Sequence, residues 1–380
     1  MPNNAQHTSL SIRQLAVLTS LFLGLAQALP ARAQQATAPA MAATAPSPVT
    51  PATAPAAAPS NALRLNVVVA PSSGEPVANL PQSAFTVLDN GQPQAITSFR
   101  AVSGKQAATQ VILVVDSVNI RYTQLAYARQ QIESYLKDNG GKLELPTSIV
   151  ILSDTKTEST GFSTDGNGLS ATLEDKVIGL RDLTRSAGFY GAEERLDISL
   201  KAFREVLARA GEAPGHKLVI WISPGWPLLS GPGVELSNKQ VESIFGNVVG
   251  LSTAMHQADV TVYNVDPLGS QESVLRTFYY EEFLKGLRKP SEAQLGNLGL
   301  QVLAVQSGGL ALNSSNDVRH LIETAIRDTH AEYELTIAPS QAPPDGKYGL
   351  HNLEVRVPGS GLKARTYQQY YVLPPSATDR

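Results

Sequence analysis

From residue 111 onward, short apolar runs alternate with amphipathic stretches. Val111-Ile112-Leu113-Val114-Val115 is an unbroken, β-branched run that ends in Asp116-Ser117-Val118-Asn119. Such a run reads as a strand buried on both faces of a parallel sheet. Residues 148–152, 217–222 and 260–265 repeat the pattern. Between them, apolar positions recur at helical spacing. Leu125, Ala128, Ile132 and Leu136 share one face; so do Leu196, Leu200, Phe203 and Leu207, and then Val241, Ile244, Phe245, Val248 and Met255. Thr123 stands where a cap for the first helix is expected, and Pro146 where the second strand should open. Further helices are expected over 169–180, 279–287, 291–306 and 317–328, and short strands over 160–163 and 310–312. This rhythm predicts an α/β fold, Rossmann-like, with a mostly parallel sheet and helices on both faces.

Either side of this region the pattern turns to strands alone. Residues 63–69, 85–88 and 94–102 read as strands, with Asp89-Asn90-Gly91 as a hairpin turn. Residues 333–338, 353–357 and 364–372 read the same way. The divisions expected are an N-terminal β segment at 62–104, an α/β domain at 108–330, a C-terminal β segment at 331–374 and a tail at 375–380. The two β segments form one module or two; the nearness of chain ends in most domains points to one.

The first 33 residues have another character. A polar stretch with Arg13 leads into the apolar residues 15–26, then Ala31-Arg32-Ala33. This is the layout of a signal peptide cleaved after Ala33, and the apolar core is short for a membrane span of about 20 residues. The expectation is export to the periplasm or the medium, with no membrane span after cleavage. Residues 34–61 are almost entirely Ala, Pro, Thr and Ser, too poor in apolar surface to fold, and read as a disordered linker. The net charge of -3 gives no electrostatic case for nucleic acid. With no cysteine, disulfides, thiolate zinc sites and cysteine nucleophiles are excluded.

An ordered set of residues carries a family resemblance. It comprises Gly74-Glu75-Pro76-Val77, Leu80, Phe85, Val87, Asp89, Gly91, Gln94, Ile96 and Phe99, then Leu113-Val114-Val115-Asp116, Phe162-Ser163-Thr164-Asp165, Trp221-Ile222-Ser223, Val262-Tyr263-Asn264-Val265-Asp266, Ser307-Gly308-Gly309 and Tyr333-Glu334-Leu335. The set resembles the von Willebrand factor A-related proteins abundant in acidobacteria. That resemblance implies a von Willebrand A-type domain flanked by β segments, exported, without assigned chemistry. It also implies a divalent-ion site at the carboxyl edge of the sheet, built from Asp-x-Ser-x-Ser after the first strand, a later Thr, and an Asp after the fourth strand. Mg²⁺ needs oxygen ligands in near-octahedral array. Here Asp116 holds the first position, but Val118 and Ile120 replace the serines, and Ser223-Pro224-Gly225 replaces Thr-Asp-Gly. The loop over 185–190 has no threonine at its end.

The candidate binding residues are therefore Asp116, Ser117 and Asn119 at the end of the central strand, Asp266 at the end of a later one, and Trp226 in a loop after a strand. Asp116 and Asn119 also fit a second role, capping the turn that follows. Trp226 has two readings, a binding hot spot or a core residue. Phe278, Tyr279, Tyr280 and Phe283 have two readings, an exposed aromatic patch or the apolar side of a helix, and the second is the expectation. Tyr367, Tyr370 and Tyr371 are expected to pack on the β module. The six histidines show no ligand pairing, and no nucleophile elbow or phosphate loop is present. The leading expectation is an exported, non-enzymatic binding protein with a degenerate adhesion site, no cofactor, and a protein, envelope or extracellular-matrix partner. One alternative is a metal-dependent adhesion protein with a weak Mg²⁺ site at Asp116. A second is an exported hydrolase using Asp116 and Asp266.

Overall fold

The computed structural model describes residues 62–72, 74–102, 109–177, 188–227, 229, 235–269, 279–338, 340 and 343–372. The expected signal peptide, linker and tail, and Phe278, lie outside them. The described chain opens with β1 (Leu63–Pro71), β2 (Thr86–Asp89), β3 (Gln92–Gln94) and β4 (Ile96–Val102). The α/β part follows with β5 (Gln110–Asp116), α1 (Tyr122–Lys137), β6 (Lys142–Leu152), β7 (Thr157–Ser159), β8 (Ser163–Asp165), α2 (Gly166–Val177) and α3 (Gly188–Glu212). It continues with β9 (Lys217–Ile222), α4 (Asn238–Ala258), β10 (Val260–Val265), α5 (Leu300–Gln306), β11 (Ala311–Leu312) and α6 (Val318–Arg327). The chain closes with β12 (Glu332–Ile337), β13 (Leu350–Arg356), β14 (Leu362–Arg365) and β15 (Gln369–Tyr371).

The seven-stranded central sheet has the order β11-β10-β9-β5-β6-β7, with β8 also paired to β6. β5, β6, β9, β10 and β11 are parallel, while β7 and β8 run antiparallel to β6. Counted along the chain this is the doubly wound order 3-2-1-4-5-6, whose ligand crevice falls where the winding reverses. That point is the carboxyl end of β5 and β9. One face of the sheet carries α1, α2 and α6 through Ile132, Leu173 and Ile322 against Leu113 and Ile220. The other carries α3, α4 and α5 through Phe203, Ile244 and Leu303 against Val114 and Val262.

The flanking segments pair with one another in two antiparallel sheets, β14-β1-β12-β4 and β15-β13-β2-β3. Phe85, Phe99 and Tyr333 fill the space between them, with Phe85 4.8 Å from Tyr333 and 5.6 Å from Phe99 between ring centroids. The Tyr333 hydroxyl donates to the Val77 carbonyl at 2.6 Å and accepts from the Leu80 N–H at 3.0 Å. It thereby fixes the stretch that leads from β1 to β2. The Asn90-Gly91 turn has positive φ at both residues, 45° and 78°, as a tight hairpin of this hand requires.

Several elements differ from the sequence reading. The strand expected over 94–102 breaks at Ala95, because β3 and β4 belong to different sheets. The strand over 364–372 divides into β14 and β15 for the same reason. α1 begins at Tyr122 after Arg121, and Thr123 makes no cap. β6 starts four residues before Pro146, which sits at an irregularity in the pairing with β8, just before pairing with β5 begins at Thr147. The short strand over 160–163 is instead β7 and β8. The helices over 279–287 and 291–306 reduce to 3-10 turns at Tyr279–Phe283, Pro290–Glu292 and Leu295–Leu298, followed by α5. Gly296 explains part of this. A Cβ there would lie 2.5 Å from the Phe283 ring, so the chain is bent to pack backbone on aromatic. Phe283 itself is buried, while Tyr279 and Tyr280 are half-buried.

Candidate functional site at the carboxyl edge of the sheet

The crevice at the ends of β5 and β9 is filled by protein groups. Asp116 is the last residue of β5 and is fully buried. Its Oδ1 accepts from the main-chain N–H of Val118 at 3.0 Å and of Asn119 at 3.1 Å. Its Oδ2 accepts from Asn119 Nδ2 at 2.8 Å and from the indole N–H of Trp221 at 3.1 Å. Four donors thus meet the four lone-pair positions a carboxylate offers. A buried charge is tolerated when it is hydrogen-bonded in this way. The turn after β5 is closed by its own acid.

The neighbours complete the closure. Val118 and Ile120, which stand in the two serine positions, are buried in the apolar core. Ser117 donates from Oγ to the Leu152 carbonyl at 2.6 Å, tying the turn to β6. Asn119 Nδ2 also donates to Ser199 Oγ on α3 at 2.9 Å. Across the crevice, Ser223 is fully buried and its carbonyl accepts from Asn264 Nδ2 at 2.7 Å. The residues present therefore do not fit a divalent ion: the one carboxylate is occupied, and the serine positions are aliphatic. Among the described residues no group of three His, Asp or Glu is placed to hold a metal ion.

Trp226 lies inside the molecule, not on a loop surface. It is 3 % exposed, and its ring meets Trp221 at 5.4 Å and Phe203 at 5.7 Å, both edge to face. Its binding reading is corrected on that ground. Residues 185–187 and 231–234 of the neighbouring loops lie outside the described residues. Asp266 is also buried, and its Oδ1 accepts from the Leu268 N–H at 2.9 Å while its own N–H donates to the Leu312 carbonyl at 2.8 Å. β9 separates β5 from β10, which puts the two strand ends about 10 Å apart at ordinary strand spacing. Asp116 and Asp266 are not brought to one point, and each carboxylate serves its own turn.

Sequence reasoning missed Trp221 as a partner of Asp116. The signal was available in the register. Trp221 pairs with Val114 across β5 and β9, so it points to the same face as Asp116 two residues on. Two exposed aromatic residues near this edge were also missed. Tyr122 opens α1 and is 51 % exposed, and Tyr190 in the first turn of α3 is 81 % exposed. Ser199 marks where α3 passes the sheet edge, so Tyr190 stands roughly 14 Å beyond it at 1.5 Å per residue.

Further buried ionisable groups lie at the joint between the α/β part and the β sheets. His216 Nδ1 meets Glu332 Oε1 at 3.1 Å, and its Nε2 meets Thr261 Oγ1 at 2.9 Å. Burial lowers the His216 pKa, but the Glu332 charge and hydrogen bond outweigh it and hold it above the usual value. His256, hydrogen-bonded to the Gln369 carbonyl and stacked on Tyr367, is pushed down to about 4 by burial. Arg365 donates to Asp328 at 2.7 Å, and Tyr263 donates to the same carboxylate. Tyr367 donates to the carbonyls of Val260 at 2.6 Å and Met255 at 3.0 Å. Tyr367 and Tyr371 thus pack on α4 and β10 rather than only within the β module.

No protein-family model matches the chain, and no curated protein matches it by sequence. Among solved structures it is similar to the human COPII-coat protein Sec24c, with a TM-score of 0.31 and 8% identity over 72% of this chain and 46% of that one. The pilus adhesin SpaC from Lactobacillus rhamnosus GG gives a TM-score of 0.34 and 7% identity over 75% of this chain and 48% of that one. The chain spans about half the length of both. Manganese-loaded TRAP protein of Plasmodium vivax gives 0.30 and 12% identity, over 70% of this chain and 95% of that one. Among the described residues no helix is long and apolar enough to cross a membrane.

Proposed function

We propose that this chain is an exported, non-enzymatic protein-interaction protein. Its von Willebrand A-like domain presents the carboxyl edge of the sheet to a protein partner without using a divalent ion. The observation that carries the reading is the Asp116 carboxylate, whose four acceptor positions are all taken by Val118, Asn119 and Trp221. An ion would have to break that set, and among the described residues no group of three acids or histidines is placed to complete its shell. Tyr122 and Tyr190 supply the exposed aromatic surface at the same edge, of the residue type enriched in binding hot spots. The layout of residues 1–33 supports an exported setting.

The test is a thermal melt of the full chain in chelator and then in millimolar Mg²⁺, Mn²⁺ or Ca²⁺. An ion bound only by the folded state stabilises it by RT ln(1 + [L]/Kd), about 2.7 kcal/mol at a hundredfold excess over Kd. No shift is expected with any of the three. A reproducible rise with one of them overturns the ion-free reading and restores metal-dependent adhesion.

A further inference from the structure

We propose that the splay between β13 and the connection from β14 to β15 is a docking groove for an extended peptide segment of a partner protein, which joins β13 as a short added strand. β13 pairs with β2 on one side, through Leu353↔Asp89 to Arg356↔Thr86. On its other side it pairs with β15 only from Leu350 to Asn352, and the last bond runs from the Leu353 N–H to the Gln368 carbonyl at 2.8 Å. There the chain leaves. Gln368 turns its N–H to the Gln306 carbonyl at 3.0 Å, and β14 joins β1 in the other sheet.

Main-chain groups in an antiparallel strand point alternately to the two sides. The Leu353 bond to Gln368 therefore sets the Leu353 carbonyl and both main-chain groups of Val355 toward the splay. Among the described residues no strand meets them there. The splay is a cleft of about 470 Å³ lined by Leu353, Val355, Thr366, Gly308 and Gly309 among others. Two further polar atoms in its walls lack partners: Thr366 Oγ1 and Gln369 Nε2, on residues 6 % and 3 % exposed. Leaving buried polar groups unpaired is costly, so a strand that satisfies them binds with a return on several bonds at once. A free strand edge is the known geometry for main-chain recognition of a peptide. The alternation along β13, with Leu353 and Val355 buried between exposed Asn352, Glu354 and Arg356, carries over to the guest. Its inward side chains must be small to fit a cleft of about 470 Å³, and β-branched types suit an extended strand.

This groove lies between the β sheets and the stretches around Gly286 and Gly308, away from the carboxyl edge of the central sheet, and its test is independent of the ion titration. The probe is fluorescein-labelled Thr-Val-Thr-Val-Thr with blocked ends, titrated against the full chain by anisotropy. A second peptide carries N-methyl groups on both valines. Saturable binding is expected, weakened at least tenfold by N-methylation and several-fold by Thr366→Val in the protein. Thr366→Val keeps the side-chain shape, and its melting temperature should equal or exceed that of the parent. Hydrogen exchange should show the Val355 amide faster than that of Glu354 in the free protein and slowed by the peptide. No binding at millimolar peptide, equal binding of the N-methylated peptide, or a Val355 amide already as protected as that of Glu354 would each overturn the proposal.

Discussion

Replacing Asp116 by Asn separates a structural acid from a metal ligand by the sign of the effect. In the structure Asp116 Oδ1 takes two main-chain N–H groups, and Oδ2 takes Asn119 Nδ2 and the Trp221 indole N–H. An amide oriented to keep the main-chain pair turns its own NH₂ toward the other two donors. Three N–H groups then face one another inside a fully buried site. Two orphaned donors at about 1–3 kcal/mol each give a cost of about 2–6 kcal/mol, before any loss of charge assistance. For a unit of this size that corresponds to a fall of roughly 5–10 °C in melting temperature. The assay is differential scanning calorimetry in chelator, so that no ion contributes. A vacant metal site behaves in the opposite way, because neutralising an unpaired buried carboxylate relieves a desolvation cost. An unchanged or raised melting temperature for Asp116→Asn in chelator would refute the assignment of Asp116 as the keystone of its own turn.

Trp226→Ala should destabilise by about 3–5 kcal/mol in denaturant unfolding, as a large aromatic lost from the core does, whereas Tyr190→Ala should leave stability within about 0.5 kcal/mol and act on partner capture. Arg365→Met leaves Asp328 and Tyr263 without their cation and should cost about 3–5 kcal/mol, an upper figure because Arg365 keeps a fifth of its side-chain surface in solvent. Two histidines should bend the pH profile of stability in opposite directions. His216 has its folded pKa held above 6.5, so its contribution is complete below that pH and is lost as pH rises through the folded value; His216→Gln should flatten that decline. His256 is depressed to about 4, so its contribution is present above 6.5 and drains away as pH falls toward 4; His256→Gln should flatten the acid side.

The central sheet was legible because its strands are buried on both faces and therefore read as unbroken apolar runs. β9 and β10 have the bounds their pattern predicts, and the stripes of α1, α3 and α4 are the residues found against the sheet. The elements that were misread share a cause. β3 and β4, like β14 and β15, form one continuous pattern of strand-prone residues, and nothing in that pattern marks the change of sheet at Ala95 or at Thr366 to Gln368. Long-range pairing decides it. The region from Tyr279 to Gln306 has helical spacing, yet Pro290 interrupts it and the chain between Tyr279 and Leu298 forms 3-10 turns, with Gly296 packed on the Phe283 ring. At the crevice, the aliphatic residues at 118 and 120 are legible in the sequence, whereas the occupation of the Asp116 carboxylate is not. It depends on Trp221, whose indole is just another apolar position when the strand is read alone.

The residues that leave no room for an ion at the end of β5 are the ones that hold its acid. Here Val118 and Ile120 pull the turn into the core, which brings the N–H groups of Val118 and Asn119 onto Oδ1. Trp221 reaches Oδ2 from β9, and Trp226 and Phe203 pack around its ring. Neither the turn nor the indole suffices alone. An aliphatic turn without the indole would bury a carboxylate short of donors, and the indole without the turn would meet a solvated acid. The arrangement is therefore expected to be strongly non-additive. Trp221→Phe in the Asp116→Asn background should cost less than Trp221→Phe alone, because the indole N–H has no acceptor left to lose. A double-mutant cycle in chelator measures this directly, with a coupling of about 1–3 kcal/mol expected for groups in one buried network. Additive costs would mean that Trp221 contributes packing only, and that the Asp116 charge is balanced by the turn alone.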